Sequence, residues 1–298
     1  MSTKDRVLRA LEEKKGSFIS GEELAKVIGV SRNSVWKAVH ELKEHGYSIE
    51  SVTNRGYSLS KSCDIISVQG IAAFLYNKED AANIEVYNEI TSTSQLAKER
   101  AVMEALDKRV IIAKKQTAGK GHGRKRFESP EGGIYFSIFL SPESLKQENL
   151  PLYAAVAVAD SLEKTKAPIR IKWINDIYLE DKKICGILTE IISDLETGEI
   201  SSYIIGIGIN CETDNKNELI ADILNRLFYP EIYYKDKEIT KLYQNKLMYM
   251  NKKVRFVING EEPDDFSAVI KGMDDSGNLI VEKSDGTKVH MKKGYIII

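Results

Sequence analysis

Three short helical patterns, each followed by a glycine, begin the chain and constrain its fold more than any other feature. Apolar residues recur at helical spacing within residues 4–14, 21–28 and 32–45. Ser20 precedes the second pattern and, with Glu23 three residues later, predicts a capping box. The buried stripes of the three helices are predicted to be Val7, Leu8, Leu11, Leu24, Ala25, Val27, Ile28, Val35, Trp36, Val39 and Leu42.

After the third pattern, two segments alternate apolar and polar residues and are predicted to form a β-hairpin. Residues 47–52 and 56–60 flank a turn containing Asn54 and Gly56, residue types that tolerate positive φ. Three helices followed by such a hairpin resemble a winged helix-turn-helix DNA-binding domain, predicted over residues 1–62. Eleven Lys and Arg outnumber eight Asp and Glu in this segment, and the net charge of +3 suits phosphate contact.

Polar residues on the third helix and at the hairpin turn are the candidates for contact with DNA. Their donors and cations can reach base edges and phosphates when the third helix lies in the major groove. The predicted contacts are Ser31, Arg32, Asn33, Ser34, Lys37, His40 and Arg55. A solvated helix face has the same composition, so a winged helix that contacts other proteins is the alternative.

Strand-like and helical segments alternate after residue 62 and then give way to strands alone. Residues 63–248 are predicted to form a mixed α/β domain whose β-sheet is flanked by helices. Residues 249–298 contain short strands separated by Gly, Asp and Pro turns, a pattern typical of a small SH3-like β-barrel. The predicted fold class is therefore α+β, with three domains.

The composition favours a cytoplasmic protein without a membrane partner. The net charge is −1, and no apolar run reaches the ~18 residues that a membrane span needs. The three cysteines, Cys63, Cys185 and Cys211, are far apart in the sequence. They therefore lack the close pairing typical of disulfide frameworks and zinc sites, and a reducing compartment is predicted.

A glycine-rich loop is the first feature that indicates chemistry. Gly119, Gly121 and Gly123 alternate with cationic residues in the sequence GKGHGRKRF. Backbone amides freed by glycine and the interleaved positive charges suit a phosphate or a carboxylate. The spacing matches neither a Walker loop nor a dinucleotide fingerprint, and a solvated surface loop is the alternative.

A second segment, KWINDIYLEDKKICGILTE (residues 172–190), combines a carboxylate with lysines near strand ends. Asp176 can hold a magnesium ion or a ribose hydroxyl, and Lys183 can meet the charge at a reacting phosphate. Taken singly, Asp176 could open a turn and Lys183 could lie on an exposed edge. A third motif, GIGIN (residues 206–210), has glycines that let a ligand or another backbone approach a strand closely.

The three motifs together resemble those of the bifunctional biotin protein ligases and biotin operon repressors. They read QTAGKGHGRKRFESPEGG, KWINDIYLEDKKICGILTE and GIGIN, in this order, between a winged helix and a β-barrel. The resemblance covers essentially the whole chain. It implies an enzyme that converts ATP and biotin to biotinyl-5′-adenylate and pyrophosphate, and then transfers biotin to a lysine of a biotin carboxyl carrier protein, such as a subunit of acetyl-CoA carboxylase. The implied cofactors are ATP, biotin and Mg²⁺.

The resemblance also assigns roles to individual residues. Lys183 is expected to bridge the biotin carboxylate and the α-phosphate, with Lys120 and Asp176 as further catalytic residues and Asp176 as the Mg²⁺ ligand. The residues expected to bind biotin are Ser92, Thr93, Ser94, Gln116, Gly119, Lys120, Gly121, His122, Lys183 and Gly186. The residues expected to bind the nucleotide are Arg124, Phe127, Lys172, Asn175, Asp176 and Asn210.

Two positions depart from the family pattern. Ser94 stands where the family usually has asparagine, which puts one hydrogen bond to biotin's ureido ring in question. In the loop, either His122 replaces the usual arginine or Arg124 reaches the same phosphate. The Ser/Thr run that contains Ser94 is also predicted to cap the helix that follows it.

The resemblance finally implies a protein that responds to its own product. Family members with a winged helix form homodimers when loaded with biotinyl-adenylate and bind a two-fold operator upstream of biotin genes. Thermodynamic linkage requires that the adenylate bind the dimer-competent state more tightly than it binds the other state of the protein. Two alternatives are a transcription factor that senses a small molecule without ligating it, and a lipoate or octanoate ligase, which ordinarily lacks the winged helix and the barrel.

Overall fold

The computed structural model describes most of the chain and divides into two compact units. The described residues are 1–103, 107–121, 123, 126–144, 149–193, 197–213, 215–234, 238–258 and 264–297. The first unit comprises Met1–Tyr87 and Glu212–Asn225, and the second comprises Asn88–Cys211 and Arg226–Ile298. The division into three domains at residues 62 and 248 stays a prediction.

The first unit begins with the predicted three helices and hairpin. Its elements up to Tyr87 are α1 (Thr3–Glu13), α2 (Gly21–Ile28), α3 (Arg32–Glu44), β1 (Ile49–Val52), β2 (Gly56–Leu59), α4 (Val68–Phe74), a 3-10 helix (Lys78–Asn83) and β3 (Ile84–Tyr87). Strands β1 and β2 pair antiparallel around a turn in which Asn54 and Gly56 both have positive φ. The N-terminal helix-turn-helix with its hairpin is thus confirmed.

Side-chain caps fix the starts of these helices, with one difference from the prediction. The Ser20 hydroxyl accepts a hydrogen bond from Glu23 N at 3.0 Å, as expected of an N-cap. Instead of completing a capping box, the Glu23 carboxylate lies 2.7 Å from Lys14 Nζ. A reciprocal capping box is present at α1, where Ser2 and Asp5 exchange backbone and side-chain hydrogen bonds.

The apolar stripes of α1, α2 and α3 meet in one core, but two predicted members lie outside it. Val27 is 72% exposed and Trp36 is 55% exposed, so both predictions were wrong. Each directly neighbours a buried or packed position, and successive helical residues point about 100° apart. The core is formed by Val7, Leu8, Leu11, Ile19, Leu24, Ala25, Ile28, Val35, Ala38, Val39, Leu42, Ile49, Leu59 and Cys63.

A mixed arrangement of helices and strands forms the rest of the chain up to residue 246. The elements are α5 (Thr93–Met103), β4 (Arg109–Ala113), β5 (Ile134–Leu140), a second 3-10 helix (Pro142–Ser144), α6 (Leu150–Glu163), β6 (Ile169–Lys172), β7 (Asp176–Leu179), β8 (Lys182–Ser193), β9 (Ile200–Ile209), α7 (Lys216–Phe228), α8 (Pro230–Tyr233) and α9 (Ile239–Lys246). Six strands of the second unit form a sheet in the order β4-β5-β9-β8-β7-β6, and all neighbours are antiparallel. The predicted sheet flanked by helices is confirmed.

Strands alone form the C-terminal segment, as the lack of helical spacing predicts. They are β10 (Lys253–Ile258), β11 (Asp264–Met273), β12 (Leu279–Lys283), β13 (Lys288–Met291) and β14 (Tyr295–Ile297). They form an antiparallel sheet in the order β13-β12-β11-β10-β14. The fold class is therefore α+β. Within the described ranges, we find no helix with the length and apolar character to cross a bilayer.

A buried polar contact joins α1 to the first turn of α7 within the first unit. Asn217 Nδ2 donates to Glu12 Oε1 at 3.1 Å and to the Ile65 carbonyl at 2.9 Å, while Asn217 Oδ1 accepts from Ser67 N. Glu12 is 1% exposed, and burial raises the pKa of its carboxyl although nearby Lys15 opposes the shift. The amide of Asn217 thereby ties the winged helix to two segments that follow it in the chain.

Candidate active site and DNA-binding surface

A lysine and an aspartate on neighbouring strands form the ion pair at the centre of the candidate active site. Lys183 Nζ lies 2.7 Å from Asp176 Oδ1, and both side chains are partly exposed. Asp176 begins β7 and pairs across the turn with Lys172, the last residue of β6. Burial lowers the pKa of the Lys172 ammonium; Asp176 opposes this shift and Lys183 adds to it. The Lys172 ammonium therefore interacts electrostatically with both members of the ion pair.

A register shift between β7 and β8 determines the face on which Lys183 lies. Asp176 pairs with Gly186 but Tyr178 pairs with Lys183, which leaves Ile184 as an extra residue in β8. In a regular strand, residues three apart lie on opposite faces, and a bulge of one residue offsets that alternation. Lys183 and Gly186 consequently share a face, and a Cβ on Gly186 would lie 3.5 Å from Lys183 Nζ.

The ring of Phe127 lies against a pair of glycines in the middle of the sheet. Gly186 on β8 pairs with Gly208 on β9. A Cβ on Gly208 would lie 2.3 Å from the Phe127 ring, and a Cβ on Gly186 would lie 3.0 Å from it. A side chain at either position would crowd the ring, so the two glycines allow Phe127 to lie on the sheet. Because Gly186 is also near Lys183, the ring lies beside the ion pair.

Hydroxyl and amide groups near the start of α5 form a connected hydrogen-bond network. Thr93 N donates to Gln116 Oε1 at 2.8 Å, and Gln116 Nε2 donates to Ser129 Oγ at 2.9 Å. The Ser137 hydroxyl on β5 lies 2.8 Å from the Thr93 hydroxyl and 3.0 Å from the Ser94 hydroxyl. The predicted biotin-binding residues Thr93, Ser94 and Gln116 are therefore brought together, with Ser137 between two of them.

The first turn of α5 packs closely on β9. Ser92 is buried, and its hydroxyl accepts from Gln95 N at 3.4 Å, which confirms the predicted cap. A Cβ on Gly206 would lie 2.7 Å from Ser94 Oγ. The glycine in this strand therefore provides the space in which the Ser94 hydroxyl lies.

Two asparagines hold the backbone around the motif strands. Asn175 Nδ2 donates to the Ile187 carbonyl, and Ile187 N donates to the Asn175 carbonyl at 3.1 Å. Asn210 Nδ2 donates to the Glu128 carbonyl at 3.1 Å, and the Tyr135 hydroxyl donates to Asn210 Oδ1 at 2.6 Å. Burial raises the pKa of Tyr135 to about 12, so its hydroxyl stays a donor. Both asparagines thus position backbone segments of the site.

The glycine-rich loop is described only in part. Gly119 is buried, Gly121 is half-buried and Lys120 is exposed. His122 and Arg124 lie outside the described residues, so the choice between them as the loop cation stays a prediction. The described part joins the site through Phe127, whose N–H donates to the Gly119 carbonyl at 2.9 Å.

The predicted DNA-contact residues of the first unit lie on α3 and at the hairpin turn. The exposed ones are Ser31, Arg32, Asn33, Lys37, His40 and Arg55, and Ser34 is half-buried. The Ser31 hydroxyl caps α3 by accepting from Ser34 N at 3.1 Å, and the two hydroxyls lie 2.9 Å apart. The Arg55 guanidinium lies 4.2 Å from the centre of the Phe18 ring, a cation–π contact that orients the turn.

Both the candidate active site and the N-terminal helices lie in segments that match known protein families. Residues 86–210 match the biotin/lipoate A/B protein ligase family, and residues 3–58 match an HTH domain. The chain therefore contains a domain of the biotin/lipoate A/B protein ligase family together with an HTH domain. The bifunctional ligase/repressor BirA of Bacillus spizizenii is 37% identical over 216 residues, which are 70% of this chain and 66% of that protein. The protein of the same name from Bacillus subtilis is 38% identical over 197 residues, which are 65% of this chain and 60% of that protein. These matches span slightly less than two thirds of the relatives' length.

Solved structures of ligases share the fold of this chain. The biotin protein ligase of Aquifex aeolicus, in complex with biotin and ATP, has a TM-score of 0.59 and 23% identity, over 72% of this chain and 97% of that one. A mutant of the same enzyme in complex with biotin has a TM-score of 0.58 and 25% identity, over 72% and 98% of the two chains. The likeness to the first of these establishes the fold alone.

Asp176 is the carboxylate suited to a metal among the described residues of this site. Among the residues whose structure is described, no group of three His, Cys, Asp or Glu side chains converges as a protein-only metal site. Mg²⁺ commonly takes one or two carboxylates and completes its shell with substrate phosphates and water. The single carboxylate of Asp176, beside Lys183, fits that manner of binding.

Three residues of the site were not predicted from the sequence. Ser137 and Tyr135 lie within the apolar segment GIYFSIFL, and Ser129 follows the glycine-rich loop. All three contact predicted site residues through their hydroxyls. For Ser137 and Tyr135, the signal in the sequence was a hydroxyl within an apolar segment, because a buried polar group requires a partner. Ser129, in the loop, had no comparable signal.

Proposed function

We propose that this protein is an ATP-dependent biotin protein ligase that also represses transcription in response to biotin. The observation that carries the proposal is the family match over residues 86–210, which includes the Lys183–Asp176 ion pair and the Phe127–glycine contact. The names of the relatives, bifunctional ligase/repressor, support both halves. The ligase would form biotinyl-5′-adenylate and pass biotin to a lysine of a biotin carboxyl carrier protein.

Lys183 would carry most of the charge stabilisation in the first step. The biotin carboxylate attacks the α-phosphorus of ATP, so two anions must approach each other and negative charge must be stabilised in the transition state. The Lys183 ammonium, held 2.7 Å from Asp176, is a point charge that can bridge both anions. Lys172 and Lys120 would add positive charge at the phosphates.

The hydroxyl and amide network at α5 would recognise the neutral ureido group of biotin. Thr93, Ser94 and Gln116 offer donors and acceptors, and their mutual hydrogen bonds hold them in fixed positions. Pre-positioned polar groups lose little conformational freedom when a ligand binds. Ser92, Gly119, Gly121, His122 and Gly186 would complete the biotin pocket.

The nucleotide would lie on the side of the site marked by Phe127. Its ring, fixed against the glycine pair, provides an aromatic surface for adenine. Asn175, Lys172, Arg124 and Asn210 would contribute polar contacts. Mg²⁺, when bound at Asp176, would screen the charge of the ATP phosphates.

The first test is direct detection of the adenylate. We expect incubation with ATP and biotin to yield biotinyl-5′-adenylate and pyrophosphate by mass spectrometry, whereas lipoate in place of biotin yields no adenylate. Formation of a lipoyl adenylate without a biotinyl one would assign the chain to lipoate ligation. Absence of any adenylate, with intact DNA binding, would support a transcription factor that senses a small molecule.

The regulatory half predicts that DNA occupancy depends on the enzyme's own product. We expect the protein, when loaded with biotinyl-adenylate, to form a homodimer and to protect a two-fold site in a duplex selected from random-sequence DNA. Footprinting with and without biotin plus ATP measures this, and sedimentation velocity reports the dimer. Equal protection in both conditions would indicate a ligase whose DNA binding does not depend on biotin.

A further inference from the structure

The exposed aromatic pair on α3 is the feature that the proposed function leaves unexplained. Trp36 is 55% exposed, and tryptophan is a residue type enriched at binding interfaces. Its ring stacks on the ring of His40, with centroids 5.6 Å apart and planes 4° apart. His40 Nε2 lies 3.4 Å from Glu44 Oε1, so the next turn of the helix braces the pair.

The position of Trp36 on α3 points it toward the hairpin side of the recognition helix. Lys43 lies seven residues later, two turns along the same flank, and donates to Ser51 Oγ on β1 at 2.8 Å. Glu41 lies on the other flank and pairs with Lys4 of α1 at 2.5 Å. Trp36 therefore lies on the same flank of α3 as Lys43, the residue that contacts the hairpin.

The charges around Trp36 indicate what covers it. Arg32 lies one turn earlier, Asn33 lies three residues earlier and Lys37 follows directly, and all three are exposed. Residues 1–62 carry a net charge of +3. A polyanion complements this surface, whereas a second apolar protein surface would have to desolvate the cations. Duplex DNA is the polyanion that a recognition helix accommodates.

We propose that Trp36, stacked on His40, is a specificity-determining residue that contacts thymine methyl groups in the major groove. The inference rests on the proposed DNA-binding function and adds to it the chemistry being recognised. In the major groove, thymine alone of the four bases presents an apolar methyl group, and apolar side chains read it by contact. The His40 ring holds the indole in one orientation, so little rotamer freedom is lost on binding.

The expected magnitude follows from the apolar group that is buried. Removing one methyl from water is worth about fourfold in affinity. A dimer that uses Trp36 in both half-sites would therefore gain about tenfold or more from these contacts. Because no phosphate is involved, the slope of log affinity against log salt should not depend on Trp36.

The test uses the full-length protein with biotin, ATP and a duplex that the wild-type protein selects from random-sequence DNA. Fluorescence anisotropy measures affinity for that duplex and for the same duplex with deoxyuridine in place of thymidine. We expect wild type to bind the deoxyuridine duplex about tenfold more weakly. Trp36→Ala should bind both duplexes with this reduced affinity, and Trp36→Phe should retain part of the preference for thymidine.

Controls separate this proposal from the proposed function. Trp36→Ala should form biotinyl-adenylate at the wild-type rate. Lys37→Ala should lower affinity for both duplexes by the same factor and reduce the slope of log affinity against log salt.

The methyl contact is refuted, and the repressor function stands, in either of two cases. The wild-type protein selects DNA but binds both duplexes equally, or Trp36→Ala loses affinity equally for both. Loss of dimerisation in Trp36→Ala with an unchanged thymidine preference would assign Trp36 to a protein contact and overturn the proposal. Failure of the wild-type protein to select any DNA would refute both.

Discussion

We expect Lys183→Ala to lower the rate of biotinyl-adenylate formation about 10³-fold, the size of effect typical when a donor is removed from a transition state. The reason is that the ammonium faces two anions at once, and alanine leaves their repulsion uncompensated. Pyrophosphate release under saturating ATP and biotin measures the rate. Near-normal release by this variant would remove Lys183 from the catalytic step.

Lys182 provides a matched control for that experiment. It directly precedes Lys183 in β8, is also exposed and pairs with Leu179. Because successive strand residues point to opposite faces, Lys182→Ala removes the same charge from the other side of the sheet. We expect its adenylation rate to stay within about twofold of the wild-type rate, since distant surface charges are screened by salt. An equal loss in both variants would indicate a general electrostatic effect.

We expect Gly208→Ala to lower the rate of adenylation about 10²-fold, because it displaces an aromatic ring without removing any functional group. The added Cβ would lie 2.3 Å from the Phe127 ring, while the backbone of β9 is held between β5 and β8. The ring must therefore move, and a displacement of about 1 Å in a positioned site can cost this much. Initial rates over a range of ATP concentrations measure the effect.

A double-mutant cycle tests whether Phe127 is the cause. Phe127→Ala removes the clash, so we expect Gly208→Ala to cause little further loss of rate in that background. Overpacking also destabilises a fold by about 1–3 kcal/mol, so urea denaturation of each variant shows that the comparison is made on folded protein. Additive losses in the double variant would place the effect of Gly208 elsewhere.

The sequence predicted the helix starts and the hairpin turn of the first unit, because each depends on one or two side chains. Ser20 and Ser31 cap their helices, and Asn54 and Gly56 take the positive φ values that the hairpin turn needs. These outcomes depend on the residue and its nearest neighbours in the chain. The exposure of Trp36 could not be predicted in this way, because its apolar character fits a buried stripe as well as a contact surface.

The sequence motifs predicted the charged residues of the candidate active site, but they did not predict the residues that other elements contribute to it. Lys183 and Asp176 are paired as their shared segment indicates, but the bulge at Ile184, which orients Lys183, has no local sequence signature. Tyr135 reaches Asn210 because β5 lies beside β9, and Ser137 reaches Thr93 and Ser94 because α5 packs on β5. Strand order is a property of the whole sheet, so residues distant in sequence become neighbours that spacing alone does not reveal.

The Asn217 contact bears on where a fragment that lacks the winged helix should begin. A fragment beginning at residue 63 would keep Asn217 but lose Glu12, which accepts one of its hydrogen bonds, and α1, which packs against α4. The newly exposed apolar surface of α4 favours self-association. A full-length variant with substitutions on the exposed face of α3 would avoid this problem, because the winged helix helps to complete the fold of the unit that contains it.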